Sequence, residues 1–324
     1  MYIVTGGAGF IGSALVWHLN QLGIEDVLIV DNLATSEKWR NLVPLRYRDY
    51  IHKSQFLEQL QAGHFTAVKA IVHLGACSAT TQRDVNYLME NNYRYSVSVA
   101  QWAIANNTRF IYASSAATYG NGSCGFSDDD TNSRKLAPIN AYGYSKQLFD
   151  LWALRNGLAE RMAGIKFFNV FGPNEYHKDD MRSVVHKAYG QIKSTGTVRL
   201  FKSHHPDYPD GGQLRDFVYV KDCVQIIGEL ITKPDVCGIF NLGTGVARSW
   251  NDLVSATFAA LNLPIKIHYT DMPADIREQY QYYTKAPMTK LSKALGREMV
   301  FPSLEQSIEN YVQHYLENGQ KCLS

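Results

Sequence analysis

Eight residues near the start of the chain, Thr5-Gly6-Gly7-Ala8-Gly9-Phe10-Ile11-Gly12, restrict its fold more than any other stretch. Tyr2 to Val4 before them is a short apolar run, and Ala14, Leu15, Trp17, Leu19 and Leu22 after them recur at mainly helical spacing. The order is strand, glycine turn, helix. Glycine at 6, 9 and 12 lets the backbone turn tightly and approach a ligand, and the helix N-terminus offers free N–H groups and a dipole that favour a pyrophosphate. A GxxGxxG triplet alone is only a flexible turn. Set between a strand and a helix, with Asp31 closing the next apolar run at Val27 to Val30, it points to dinucleotide binding.

Further apolar runs at Ala70 to Leu74, Arg109 to Ala113 and Gly164 to Phe168 read as strands, and Asp84 to Asn106 and Tyr142 to Leu158 read as helices. Strands alternating with helices predict an α/β chain built on a Rossmann-type, doubly wound parallel sheet. At 324 residues the chain has room for a smaller C-terminal α/β substrate domain as well. Strand-like segments return at 215 to 220 and 238 to 245, after a Pro/Gly/His-rich loop near residue 210. The expected partition is 1–168 plus about 213–243 for the dinucleotide, and 169–212 plus about 244–324 for the substrate.

Composition removes several classes of function. With 45% hydrophobic and 19% charged residues the chain can pack a core, which argues against disorder. Its 32 basic and 30 acidic side chains form no long block of one sign, so neither nucleic acid nor a membrane surface is an expected partner. Cys77, Cys124, Cys223, Cys237 and Cys322 are scattered without CxxC or Cys/His spacing, and His204-His205 sits in an open loop without further ligands, so no metal is expected. The first residues lack a signal-peptide pattern and no run of 18 apolar residues occurs, which makes cytoplasmic the expected location.

Two later segments carry the chemistry. "YASSAATYG" (112–120) starts as a strand and ends in hydroxyl-bearing residues where a strand edge faces ligand in this fold class; Ser114, Ser115 and Thr118 by themselves are common turn residues. "NAYGYSKQ" (140–147) places Tyr142 and Lys146 at i and i+4, on one helix face, and Tyr144 elsewhere, as an expected packing residue. A free phenol has a pKa of about 10 and is a poor base, but an ammonium one turn away would stabilise the phenolate. Asp31 suits the ribose hydroxyls of NAD, whereas Lys38, Arg40 and Lys53 could hold the extra phosphate of NADP, so the residues alone leave both cofactors open.

Glycine turn, Ser115, Tyr142 and Lys146, FNVFGP (168–173) and RDFVYVKD (215–222), in this order, resemble the extended short-chain dehydrogenase/reductase family over essentially the full length. Members of that family act on nucleotide sugars. Its 4,6-dehydratases carry an acidic pair where this chain has Ala116-Ala117-Thr118, which favours an epimerase. More narrowly, HLGACSATT (73–81), ENNYRYS (90–96), NAYGYSK and FNVFGPNEYHK (168–178) are similar to the ADP-heptose 6-epimerase branch. That resemblance implies an ADP-heptose substrate, NADP with NAD as the alternative, and a homo-oligomer, a pentamer by family resemblance. It also implies Lys178 as a second acid/base beside the Ser115, Tyr142 and Lys146 set.

Carried over by position, cofactor contacts fall on Gly6, Gly9, Phe10, Ile11, Gly12, Asp31, Asn32, Lys38, Lys53, Leu74, Gly75, Ala76, Cys77, Ser78, Asn91, Lys146, Val170 and Lys178. Substrate contacts fall on Ser115, Asn169, Asp180, Lys187, Phe201, Arg215 and Tyr280, with Arg215 suited to a diphosphate because its planar fork binds two oxygens. The chain departs from the branch at Asp180 (serine there), at Lys187 (histidine there) and in a longer 202–214 loop. Two other readings stand beside this one: another nucleotide-sugar epimerase or reductase of the same superfamily, and a non-catalytic dinucleotide sensor, which could dispense with Tyr142 and Lys146.

Overall fold

The computed structural model describes residues 1–277 and 280–324. In chain order the strands are β1 (Tyr2–Thr5), β2 (Val27–Asp31), β3 (Asp49–His52), β4 (Ala70–His73), β5 (Arg109–Ser115), β6 (Ala163–Phe167), β7 (Asn169–Phe171), β8 (Val198–Phe201), β9 (Leu214–Tyr219), β10 (Gly238–Leu242), β11 (Ala247–Ser249) and β12 (Ile267–Thr270). Seven of them form one parallel sheet in the order β10-β6-β5-β4-β1-β2-β3. The order reverses at β1, since the chain steps outward to β2 and β3 and returns on the other side at β4. Loops leaving the C-terminal ends of β1 and β4 therefore diverge and open a crevice.

Side chains along these strands alternate between two cores, as a sheet covered on both faces requires. Ile3, Leu28, Ile71 and Phe110 pack against Phe56, Val99 and Phe149 of the helices Lys53–Gln61, Tyr95–Ala105 and Ala141–Arg155. Val4, Ile29, Val72 and Ile111 face Leu15, Leu19, Val224 and Ile227 of the helices Phe10–Gln21 and Val220–Thr232. A third core, with Phe171, Val185, Ile192, Phe217, Leu253, Phe258, Ile308 and Tyr311, lies with the small sheet β11-β9-β7 and the parallel pair β12-β8. Among the described residues, no helix is long and apolar enough to cross a membrane.

Several segments differ from their sequence pattern. The strand at 215–220 belongs to the small sheet, parallel to β7 and antiparallel to β11, and not to the central one. Leu291, Leu295 and Leu323 pack in the core of the first helix, so the C-terminal part returns to the central sheet. The expected helix 84–106 is interrupted by a widened turn at Met89–Arg94. Asn92 explains it: the amide, fully buried, accepts from Cys77 N at 2.8 Å and donates to Cys77 O at 3.0 Å and Ser145 Oγ at 3.0 Å, pulling the helix toward the loop after β4.

His73, at the end of β4, is buried between Thr5 Oγ1 (2.6 Å from Nδ1) and Ser96 Oγ (2.8 Å from Nε2). Burial, and then the charge of Lys146, hold its pKa at about 3. The unfolded chain protonates this imidazole below about 6.5 while the folded protein does not. Stability is therefore expected to fall as pH drops from about 6.5 toward 3, by a few kcal/mol in order of magnitude. Denaturation midpoints measured across this range should show a shallower acid slope in His73→Asn than in the parent protein; equal slopes would remove His73 as the cause.

Candidate active site

A cavity of about 680 Å³ lies over the C-terminal ends of β1, β2, β4, β5 and β6. Its floor is the glycine turn, where Gly9 N donates to Gly6 O at 2.9 Å. A Cβ on Gly12 would stand 2.0 Å from Gly6 O, so only glycine closes the turn and leaves the backbone open to a ligand. Asp31 ties this turn to the next strand end. Its Oδ2 accepts Ala8 N at 2.9 Å, and its Oδ1 accepts Asn32 N at 2.7 Å and Lys38 Nζ at 2.6 Å. Lys53, bonded to the Asn91 side chain, is held below the usual lysine range by burial and by the charge of Lys38. The cradle thus combines a glycine turn that a side chain would fill with cations grouped around one carboxylate, which fits a dinucleotide phosphate chain and ribose.

The opposite wall comes from the helix Ala141–Arg155. Asn140 starts it by accepting Gly143 N at 2.8 Å on its side-chain oxygen. A Cβ on Gly143 would meet Ala117 O at 2.6 Å, so glycine there lets the helix seat directly on the turn that follows β5. Tyr142 and Lys146 consequently reach the cavity together with Ser115. Tyr144 does not pack, contrary to expectation: it is 49% exposed.

The electrostatics differ in one respect from the sequence expectation. Lys146 Nζ donates to Ala113 O at 2.8 Å, and burial brings its pKa down to about 8 against the opposing charges of Asp150 and Cys77. Burial raises the Tyr142 phenol, and the hydroxyl of Ser115 is the neighbour that pulls it back. The ammonium is thus engaged by a strand carbonyl, and the protein's own groups together leave the phenol above its ordinary value. A cation arriving with a ligand would lower it.

Ser115 accepts Ala117 N at 3.1 Å, and its carbonyl takes the Thr118 hydroxyl at 2.8 Å. Beneath this turn lies a pair that sequence reasoning missed. Lys166 and Asp150, both fully buried, meet at 2.6 Å. Asp150 also accepts Tyr112 OH at 3.0 Å and Ser114 Oγ at 2.7 Å, and Lys166 donates to Thr118 Oγ1 at 2.8 Å. The available signals were a lysine inside the apolar strand AGIKF and an aspartate one turn beyond Lys146.

Lys178 enters from a third element, the turn Tyr176–Met181, with Nζ 5.3 Å from the centre of the Phe10 ring. Burial lowers its pKa, opposed by Glu175. Glu175, 1% exposed, accepts both Ser183 N and Ser183 Oγ and so pins the far end of this turn. Asn174, in the left-handed region at φ +77, donates to Ser13 Oγ at 2.9 Å and pins the near end to the first helix. His177, also on the wall and not foreseen, is held at about 4 by burial and by Lys38 and Lys178.

Of the residues expected to bind cofactor, Gly6, Gly9, Phe10, Ile11, Gly12, Asp31, Lys38, Leu74 to Ser78, Lys146, Val170 and Lys178 line the cavity. Asn32, Lys53 and Asn91 are off the wall: Asn32 N donates to Asp31 Oδ1, and Lys53, bonded to Asn91, feels the charges of Lys38 and Asp31. Asn169 is the one expected substrate residue besides Ser115 on the wall. Arg215, 7% exposed, lies behind Trp250, its guanidinium 5.7 Å from that ring and 5.3 Å from Tyr280, while Trp250 Nε1 donates to Tyr280 OH at 3.0 Å. Trp250 borders the cavity, so this stack extends the site outward. The long 202–214 loop adds Tyr208 and His205, which stack with Tyr282 at 5.5 and 5.1 Å. Phe201 is partly exposed at the end of β8 and off the wall. Asp180 and Lys187 are also off the wall and exposed; Lys187 Nζ donates to Asp180 O at 2.6 Å, so both side chains sit on the outer side of the Lys178 turn.

The NAD dependent epimerase/dehydratase family model matches residues 2–243. The chain is 58% identical over 317 residues, 98% of each chain, to the ADP-L-glycero-D-manno-heptose-6-epimerase of Nitratidesulfovibrio vulgaris strain Hildenborough. It is 45% identical over the whole of both chains to the protein of the same name from Fusobacterium nucleatum. Among solved structures, the Helicobacter pylori ADP-L-glycero-D-manno-heptose-6-epimerase superposes with a TM-score of 0.81 at 27% identity, covering 97% of this chain and 95% of the other.

Proposed function

Because the chain belongs to the NAD dependent epimerase/dehydratase family, we propose that it inverts C6 of ADP-D-glycero-β-D-manno-heptose to give the L-glycero epimer. A second enclosed amine carries the proposal: Lys178 lies in the wall of the same cavity as Ser115, Tyr142 and Lys146. A dehydrogenase needs one proton-transfer group at its carbon. An epimerase must serve the sugar hydroxyl in two orientations, and two proton-transfer groups on different elements suit that task.

A nicotinamide dinucleotide held by the glycine turn, Asp31 and Lys38 supplies hydride removal and return at C6. Tyr142 takes the hydroxyl proton in the first orientation while Ser115 hydrogen-bonds the reacting oxygen, leaving a 6-keto sugar. Lys146 holds the ribose end of the nicotinamide. After the ketone turns over, Lys178 protonates the oxygen in the second orientation. One proton is taken and one given, so the net reaction is inversion without redox change. Arg215, stacked against Trp250 and Tyr280 behind the cavity wall, is assigned to the diphosphate, for which its planar fork is suited. Lys38 and Lys53, close to Asp31, support NADP as the native cofactor with NAD as the alternative. On this proposal residues 1–168 with about 213–243 carry the dinucleotide, and 169–212 with about 244–324 the sugar nucleotide, except that β9 with Arg215 stands with the small sheet on the sugar-nucleotide side. The enzyme works in the cytoplasm as a homo-oligomer, a pentamer in the family's manner.

The test is NMR of ADP-D-glycero-β-D-manno-heptose carrying deuterium at C6, incubated with purified protein and no added cofactor. Inversion with the label kept in ordinary water is the expected result. Loss of the label to solvent would replace hydride return by enolisation, and absence of inversion would reject the substrate. Dinucleotide released from the denatured protein identifies NADP or NAD in the same sample.

A further inference from the structure

Asp150 and Lys166, an ion pair with no solvent contact, sit beneath the proton-transfer site and do not line the cavity. A buried pair of this kind is a poor source of stability, because desolvation offsets most of the attraction, and apolar residues of like volume would pack as well. Its placement is informative. Tyr142, Lys146 and Asp150 are spaced at i, i+4 and i+8 on one helix, so the carboxylate lies one turn behind the ammonium. Each oxygen of Asp150 also holds a residue of β5: Oδ1 accepts Tyr112 OH and Oδ2 accepts Ser114 Oγ, next to Ser115. Lys166 bonds Thr118, whose hydroxyl in turn donates to the Ser115 carbonyl.

We infer that Asp150 is a positioning residue of the hydride-transfer site: it is the counter-charge that keeps Lys146 protonated, and with Lys166 it fixes the strand end that presents Ser115. The inference rests on the Tyr142 and Lys146 roles given above. Lys146 is enclosed, so its ammonium needs a nearby anion to survive at working pH. Among the described residues, the titratable groups facing it are few. Tyr142 and Asp150 come from its own helix, Cys77 from the loop after β4, and His73, neutral at working pH, from β4. Asp150 is the carboxylate among them, and Lys166 on β6 holds it in place. Without this carboxylate, Lys146 loses its proton at lower pH.

The obvious variant, Asp150→Asn, leaves Lys166 unpaired in the interior and risks unfolding the protein, so the decisive variant is the double Asp150→Asn/Lys166→Met, which removes both charges at similar volume. Lysine titration is followed by NMR of the full-length protein labelled with 13C in its lysines, the Lys146 signal being assigned by its loss in Lys146→Met. This readout needs no substrate, so a wrong sugar assignment leaves it intact. In the double variant the Lys146 midpoint is expected about one pH unit lower than in the parent protein. The alkaline limb of the pH–rate profile for inversion should move down with it, giving roughly a tenfold loss on that limb. Lys166→Arg, which keeps the pair, should leave both where they were. A folded double variant with an unshifted Lys146 midpoint and an unshifted limb would overturn the inference and reduce the pair to a structural one.

Discussion

Tyr142→Phe is expected to lower inversion by roughly 10²–10⁴-fold, the range for losing a general acid/base, while the protein keeps its dinucleotide and its fold. The separation of effects follows from where the hydroxyl sits. The ring is held by the helix that Asn140 caps and Gly143 seats against Ala117, and none of these contacts uses the phenol oxygen. The oxygen faces the cavity beside Ser115, whose hydrogen bond is the neighbour that pulls the phenol down against burial. Removing it therefore deletes a proton acceptor and its contact with Ser115 but none of the bonds that seat the helix. Turnover by NMR, dinucleotide content by absorbance after denaturation, and the denaturation midpoint together check the result. A loss under tenfold would move the base elsewhere, and loss of the dinucleotide would mean that the phenol holds cofactor and does not merely transfer a proton.

The central sheet and the first half of the site were legible in the sequence because each rests on local rules. Gly12 has no room for a Cβ, Asp31 closes a buried strand, and Tyr142 and Lys146 share a helix face by spacing alone. Long-range contacts were not legible. Nothing local says that Lys166 in a strand meets Asp150 in a helix, that Asn92 bends its helix toward Cys77, or that the 215–220 strand leaves the central sheet to pair with β7. The outer site was harder still. Asp180 lies on the same short turn as Lys178, and Lys187 on the helix Val184–Thr195 after it, but Asp179 takes φ +46 and the turn throws Asp180 to the outside. A position-by-position transfer across that turn cannot anticipate which side of it faces the cavity.

Lys178→Met should be as damaging to inversion as Tyr142→Phe, again roughly 10²–10⁴-fold, but the two losses should differ in kind. If Tyr142 serves one orientation of the hydroxyl and Lys178 the other, each variant keeps one half-reaction. In a single turnover with bound oxidised cofactor, Lys178→Met should still reduce it with the D-glycero epimer and fail with the L-glycero epimer; Tyr142→Phe should do the reverse. The lysine can fill this role because its turn is pinned at both ends, through Asn174 to Ser13 and through Glu175 to Ser183, so the amine approaches the cavity from a fixed direction. Burial also pulls its pKa down from the usual lysine value, and the charge of Glu175 opposes that fall. Methionine keeps the stem over Phe10 and removes only the charge and the proton. Nicotinamide absorbance in a stopped-flow mixer reads both epimers directly. Equal reduction by the two epimers in Lys178→Met would leave Tyr142 serving both orientations, and the second enclosed amine would then be a binding group alone.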